Sequence, residues 1–208
     1  MTGVLARLTR QLHLDRPAVR AWMLYDWANS AMYVVIITAI FPTFFSAVAA
    51  QGLPPVEATY RFSLATTLGL TIIAVLSPIL GAIADHSAAK KRLLGAFLVF
   101  GATAVAAMFF IRHGQWVFAA LLFILANIGV NGSFVFYDSL LPHVAAPDEM
   151  DRISTAGYAL GYLGGGLFLV ACLGIILAPA AFGLPSGAGL TPTEATLPTR
   201  ITFILTAL

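Results

Sequence analysis

Charge and cysteine are both scarce in this sequence. Of 208 residues only 10% are charged, under half the share of an ordinary soluble domain, while 60% are hydrophobic. That balance excludes a soluble globule. Eleven Lys and Arg against nine Asp and Glu leave a formal net charge of +2. The basic residues form no long single-face stripe of the kind that neutralises phosphates, which points away from nucleic acid as a partner. Cys172 is the one cysteine and lies in an apolar run. An intrachain disulfide is impossible and a Cys/His zinc set has no ligands, so metal and redox readings are set aside and no cofactor is called for. The four histidines fall in the N-terminal arm or in loops, so no His-Glu-x-x-His pair suggests an enzyme inside a bilayer.

What the sequence has is length in its apolar runs. Uncharged stretches at 27–48, 62–84, 93–111, 116–137 and 153–177 each exceed 18 residues. At about 1.5 Å per residue each covers the ~30 Å hydrocarbon core as a helix, the form that satisfies its backbone without water. A sixth span opens at 201–208 and is too short to cross. The expected fold is therefore an all-α integral membrane protein: a cytoplasmic arm over 1–21, then a transmembrane bundle over 22–208. The sequence reads as the front part of a longer chain.

Orientation follows from the loops. Arg7, Arg10, Arg16, Arg20, Lys90, Lys91, Arg92 and Arg152 lie on one side; Arg61, Arg112 and Arg200 lie on the other. The positive-inside bias places the N-terminus in the cytoplasm. The arm spaces Val4, Leu5, Leu8 and Leu12 as a surface helix would up to Pro17, and a loose arm is the alternative. A secretory signal ending at Ala47-Val48-Ala49 is the rival for the first span, but its apolar core would run about 7 to 15 residues and this one is longer. The outer stretch 178–199, rich in Pro and Gly, is expected to be mobile and non-catalytic.

Polar residues inside the spans mark candidate chemistry. Asp26, either Asn29 or Ser30, and Tyr33 share one side of the first span, and a carboxylate in a bilayer is tolerated only beside a cavity or a partner. The partnered reading pairs Asp26 with Arg20 or with the cluster 90–92. The fourth span carries Asn127 and Asn131 one turn apart, with Phe134 and Asp138 beyond. They suit either interhelical hydrogen bonds or a solute cavity. Gly157, Gly161 and Gly165 recur every four residues on the fifth span, a face for close helix packing.

The string Gly81-Ala82-Ile83-Ala84-Asp85-His86-Ser87-Ala88-Ala89-Lys90-Lys91-Arg92-Leu93 resembles the loop signature of the major facilitator superfamily. Gly81, Asp85, Lys90 and Leu93 match; His86, Ala88 and Ala89 replace a basic residue, a glycine and an arginine. A carboxylate at a helix end with Lys90, Lys91 and Arg92 just beyond can latch the inner ends of two bundles and release as they rock. Residues 22–30, Phe136-Tyr137-Asp138-Ser139-Leu140-Leu141-Pro142, 154–165 and 200–203 further resemble the vacuole effluxer-like branch, the autophagy-related amino-acid effluxers and their bacterial relatives.

This resemblance implies the N-terminal six-helix half of a secondary transporter with its sixth helix truncated. A C-terminal half would complete it, and small-solute export, with amino acids as the solute class, would be its activity. The expected setting is a bacterial cytoplasmic membrane. Asp26, Asn29, Tyr33, Asn127 and Asn131 are the expected pathway residues. Gly81, Asp85, Lys90, Lys91 and Arg92 are the expected gate. If protons are coupled, Asp26 is the candidate. A carrier of the same fold for sugars or drugs, and a non-transporting assembly protein, are the alternatives.

Overall fold

The computed structural model describes residues 14–86 and 89–208. The arm residues 1–13, with their expected surface helix, and Ser87 and Ala88 of the loop signature lie outside the described residues. Five helices are long and apolar enough to cross a membrane: α1 (Pro17–Ala49), α2 (Pro55–His86), α3 (Lys90–Ala107, prolonged by a tight turn over Met108–Phe110), α4 (Trp116–Asp138) and, after the short α5 (Leu141–Val144), α6 (Met150–Leu177). On the far side of α6 come α7 (Pro192–Ala195) and α8 (Leu197–Ala207). No strand occurs among the described residues.

The helices overrun the apolar stretches that signal them. Pro17 opens α1 at a position where no backbone donor is needed. Glu57 and Arg61 pair within the first turns of α2, with Arg61 Nε 3.0 Å from Glu57 Oε1 and its guanidinium 3.9 Å above the Trp116 ring. Lys90, Lys91 and Arg92 form the first turn of α3. A helix has every reason to continue past the hydrocarbon edge, because its backbone stays paired while its charged side chains meet headgroups and water.

α1 is not uniform. Tyr33–Ala39 and Phe45–Ala49 take wider, π-type turns around Pro42. Proline has no N–H and its ring crowds the carbonyl four residues back, and a widened turn just before it relieves the crowding. Thr38 Oγ donates to the Tyr33 carbonyl at 3.0 Å, and Thr43 Oγ to the Ala39 carbonyl at 3.1 Å, occupying backbone acceptors there.

α4 is the centre of one group, with α2 and α3 packed on it; α1 packs on α6, and α8 runs beside α3. Small residues set the closest approaches. A methyl at Gly129 of α4 would collide with the Gly101 Cα of α3, so only glycine fits there. One aromatic core forms where α1, α2, α4 and α8 converge. Phe41 stacks parallel on Phe123 at 5.3 Å, while Phe203 meets Phe44 edge-on at 5.1 Å. A second core gathers Val19, Trp22, Met23, Tyr137, Ala145 and Ile153. Between them, α2 turns Leu64, Leu68, Val75, Ile79 and Ile83 outward, which in lipid is their solvent.

Within the stretch 178–199, expected to be mobile from its breakers, the last part is held by side-chain hydrogen bonds. Thr191 and Glu194 form a reciprocal capping box at the start of α7. Arg112 Nη1 donates to Thr193 Oγ at 3.2 Å, and the buried Arg200 donates to the Thr193 carbonyl at 2.8 Å and the Phe109 carbonyl at 3.1 Å. Hydrogen bonds from the Thr191 side chain and then its backbone hold the Glu194 carboxyl below the usual carboxylate range.

Candidate functional site

The contact between α1 and α6 brings a carboxylate against glycine. Gly157 faces Trp22, with Trp22 Cζ3 2.6 Å from where a Cβ would stand, and Gly164 faces the Trp27 indole at 2.5 Å. Gly161 lies against the Asp26 carboxylate and the Ser30 hydroxyl, and Gly165 against the Ser30 carbonyl at 3.0 Å. The four-residue spacing puts all of these on one face, and without side chains the two backbones close up. The absent side chains leave the polar edge of α1 at the rim of this contact.

A cavity of about 350 Å³ opens there, lined by Asp26, Ser30, Tyr33, Val34 and Thr38 of α1, Phe134 of α4, and Tyr158 and Tyr162 of α6. Asp26 is 2% exposed and, among the described residues, has neither a hydrogen-bond donor nor an ion-pair partner. The pairing with Arg20 or with 90–92 that the sequence allowed does not form. Burial without a partner is costly for a carboxylate, so its place on a cavity wall is its main outlet.

Across the cavity, aromatic rings bridge α1 to α4. Trp22 stacks on Tyr137 at 4.4 Å and Tyr25 on Tyr137 at 4.8 Å. Phe134 sets its edge against Tyr25, Tyr33 and Tyr137. Three side-chain hydrogen bonds cross the same boundary: Trp22 Nε1 donates to the Tyr137 carbonyl at 3.3 Å, Tyr25 Oη to Ser133 Oγ at 2.7 Å, and Tyr33 Oη to Asn131 Oδ1 at 2.7 Å.

Of the five expected pathway residues, Asp26 and Tyr33 line this cavity, and Asn131 joins it through the Tyr33 hydroxyl. Asn29 lies on the flank of α1. It is buried, its Nδ2 has no partner, and it borders a smaller cavity of about 160 Å³ with Leu98, Gly101 and Val105 of α3. Asn127 is buried against Gly69 of α2, and its Nδ2 donates to the Phe123 carbonyl of its own helix at 2.9 Å. Asn131 repeats that pattern onto the Asn127 carbonyl at 2.9 Å, which frees its Oδ1 for Tyr33.

The gate residues do not gather around one another. Asp85 is exposed on the last turn of α2, with no ion-pair partner among the described residues. Gly81 faces open space. Lys90 Nζ reaches the Ser139 carbonyl at 3.3 Å, where it meets the negative end of the α4 dipole. Lys91 and Arg92 are exposed.

The contact that does form at the entry of α1 was not anticipated. Arg16 Nη1 pairs with Glu149 Oε2 at 2.7 Å and its Nη2 donates to the Val144 carbonyl, while Glu149 Oε2 accepts from the Ala146 N–H at 3.1 Å. This clasp ties the entry of α1 to the link between α4 and α6. Tyr158 and Tyr162 were missed as well. Their signal was two tyrosines four residues apart, flanking the glycine face of a membrane span. Among the described residues, no group of His, Cys, Asp and Glu is arranged to hold a metal ion.

The sequence profile described as "Vacuole effluxer Atg22 like" matches residues 55–206. The chain is 36% identical over 166 residues to YxiO, named an uncharacterised MFS-type transporter, from Bacillus subtilis. That alignment covers 79% of this chain and 39% of the relative. Autophagy-related protein 22 of Neurospora crassa is 33% identical over 106 residues, covering 49% of this chain and 14% of that protein. Its counterpart in Coccidioides immitis is 34% identical over 91 residues, covering 44% and 14%. The chain thus spans well under half the length of these relatives. No solved structure matches significantly.

Proposed function

Since the chain belongs to the vacuole effluxer Atg22-like family of the major facilitator superfamily, we propose that it forms the N-terminal half of an alternating-access carrier that exports a small solute. A second six-helix half packs against it, and rocking of the two exposes the cavity first to one side and then to the other. The observation that carries this reading is Asp26, buried and unpartnered on the wall of a cavity shared by α1, α4 and α6. A polar wall of this kind is wasted on a protein that only scaffolds others, and it is what a solute crossing a bilayer needs.

The distribution of basic residues supports a cytoplasmic N-terminus, and the Bacillus relative supports a bacterial cytoplasmic membrane. The family's description as effluxers supports export as the direction, and amino acids are the solute class that the sequence resemblance implies. Asp85, exposed at the inner end of α2, is free to meet the other half. Exchanging it for Asn is expected to slow transport at least about tenfold with expression intact, which corresponds to the loss of one charge-assisted contact. Unchanged transport would remove that role.

Water access tests the pathway. In a Cys172→Ser background, single cysteines at Ser30 and Tyr162 should react with a water-soluble maleimide in the intact carrier, and one at Asn127 should not. Protection of both Ser30 and Tyr162 positions would overturn the cavity reading. Reaction at Asn127 as fast as at the other two would place the water path along α2 instead.

A further inference from the structure

Tyr33 meets the cavity with the sense of its hydrogen bond already decided, and the decision starts in the backbone of α4. Asn127 Nδ2 donates to the Phe123 carbonyl at 2.9 Å, and Asn131 Nδ2 to the Asn127 carbonyl at 2.9 Å. A carbonyl can only accept. The Asn131 amide therefore cannot be turned the other way, and its Oδ1 is the atom left to face α1. Oδ1 accepts in its turn, so Tyr33 Oη, 2.7 Å away, has to give it the phenolic hydrogen. A parallel relay sets Tyr25. Its Oη donates to Ser133 Oγ at 2.7 Å, because the Ser133 hydrogen goes to the Val130 carbonyl at 2.7 Å.

What remains on the Tyr33 hydroxyl is an oxygen that can accept and has no hydrogen to offer. Tyr33 lines the cavity, and among the described residues no donor reaches that oxygen. Thr38, one widened turn further along the same wall, has likewise given its hydrogen to the Tyr33 carbonyl at 3.0 Å. A group that meets this stretch of α1 has to bring the hydrogen itself.

We infer that Asn131 is a positioning residue: without lining the cavity, it holds the Tyr33 hydroxyl so that its oxygen accepts a hydrogen bond from an N–H group of the solute. The inference rests on the carrier reading and deepens it by one specific contact. It asks nothing of the solute's other end, and a carboxylate there is left to the second half of the carrier.

The test is calorimetric titration of the detergent-purified protein with each protein amino acid singly. The tightest binder is then compared with its N,N,N-trimethyl betaine, which keeps both charges and has no N–H. Tyr33→Phe should weaken the amino acid about tenfold, the loss of one charge-assisted hydrogen bond, and leave the betaine nearly unchanged. Asn131→Leu should do the same. In the double variant the loss should be no larger than in either single one, because Asn131 acts through Tyr33. Additive losses, equal losses for amino acid and betaine, no loss in either variant, or binding of no amino acid would each overturn the inference.

A spectroscopic reading decides the matter if Asn131→Leu fails to fold. The ring doublet in the Raman spectrum of tyrosine tells a phenol that donates from one that only accepts, and subtracting the Tyr33→Phe spectrum isolates Tyr33. The unaltered protein should show a donating phenol that keeps donating when the amino acid binds; a phenol that does not donate overturns the inference. The two readings fail separately. Flux of amino acids into vesicles with additive variants would remove the Asn131 role and keep the carrier, whereas the expected pattern of variants without flux would sink the carrier and keep the contact.

Discussion

Gly161 and Gly166 lie five residues apart on α6, and alanine should behave differently at each. At Gly161 the new methyl would meet the Asp26 carboxylate and the Ser30 hydroxyl; at Gly166 it would meet nothing within 4 Å. Gly161→Ala should cost about 1 to 3 kcal/mol through overpacking and lower the melting temperature by several degrees. Gly166→Ala should change stability by less than about 0.5 kcal/mol, or raise it, because alanine is the better helix former. A fluorescence-detected thermal scan of the two variants checks both expectations. The glycine stripe was legible in the sequence because packing that needs small residues writes itself as a period. The asparagines were less legible. Asn127 and Asn131 share a stripe, yet four residues advance a helix by slightly more than a turn. That offset sends one against Gly69 and lets the other reach Tyr33.

Among the elements, α7 offers the clearest titration. Its capping box needs the Glu194 carboxylate ionised, and the Thr191 hydrogen bonds hold that group below its usual range. The folded form therefore binds its proton less readily than the unfolded one. The cap is fully present above the ordinary carboxylate range and is lost as pH falls through the lowered value. Amide exchange over residues 191–196 should accelerate on acidification, and Thr191→Ala should make it fast already at neutral pH. The ends of the long helices were the part that hydropathy could not show. Glu57, Arg61 and Lys90–Arg92 sit inside helices although they interrupt the apolar runs, because backbone pairing does not stop where oil does. The widened turns of α1 left one trace, Pro42, and the Arg16 to Glu149 clasp left none. Residues 133 positions apart meet only after the chain has crossed and returned.

At the scale of the molecule, the apolar surface of α2 is its contact with lipid. Val75 is 65% exposed in the middle of that helix, whereas Val56 is 82% exposed in its first turn. Lysine at the centre of a span costs about 2.5 to 3.5 kcal/mol on insertion scales and far less at its end. Val75→Lys should lower the carbonate-resistant membrane fraction markedly, and Val56→Lys should leave it nearly unchanged. Equal insertion of both would mean that this face is covered by protein. Composition alone made the all-helical membrane class legible, since lipid admits few other answers to so much apolar length. The cavity was only half legible, because α6 contributes to it through two tyrosines whose direction depends on how deeply the glycines let α1 sink.

That sinking has a mechanical result. With Trp22, Asp26 and Trp27 seated directly on the glycine backbone of α6, sliding of α1 along α6 would drive those side chains into that backbone. The opposite wall is fastened by stacked rings and three exchangeable side-chain bonds. Any widening of the chamber must therefore unzip along the α4 seam, with water taking over each released donor in turn.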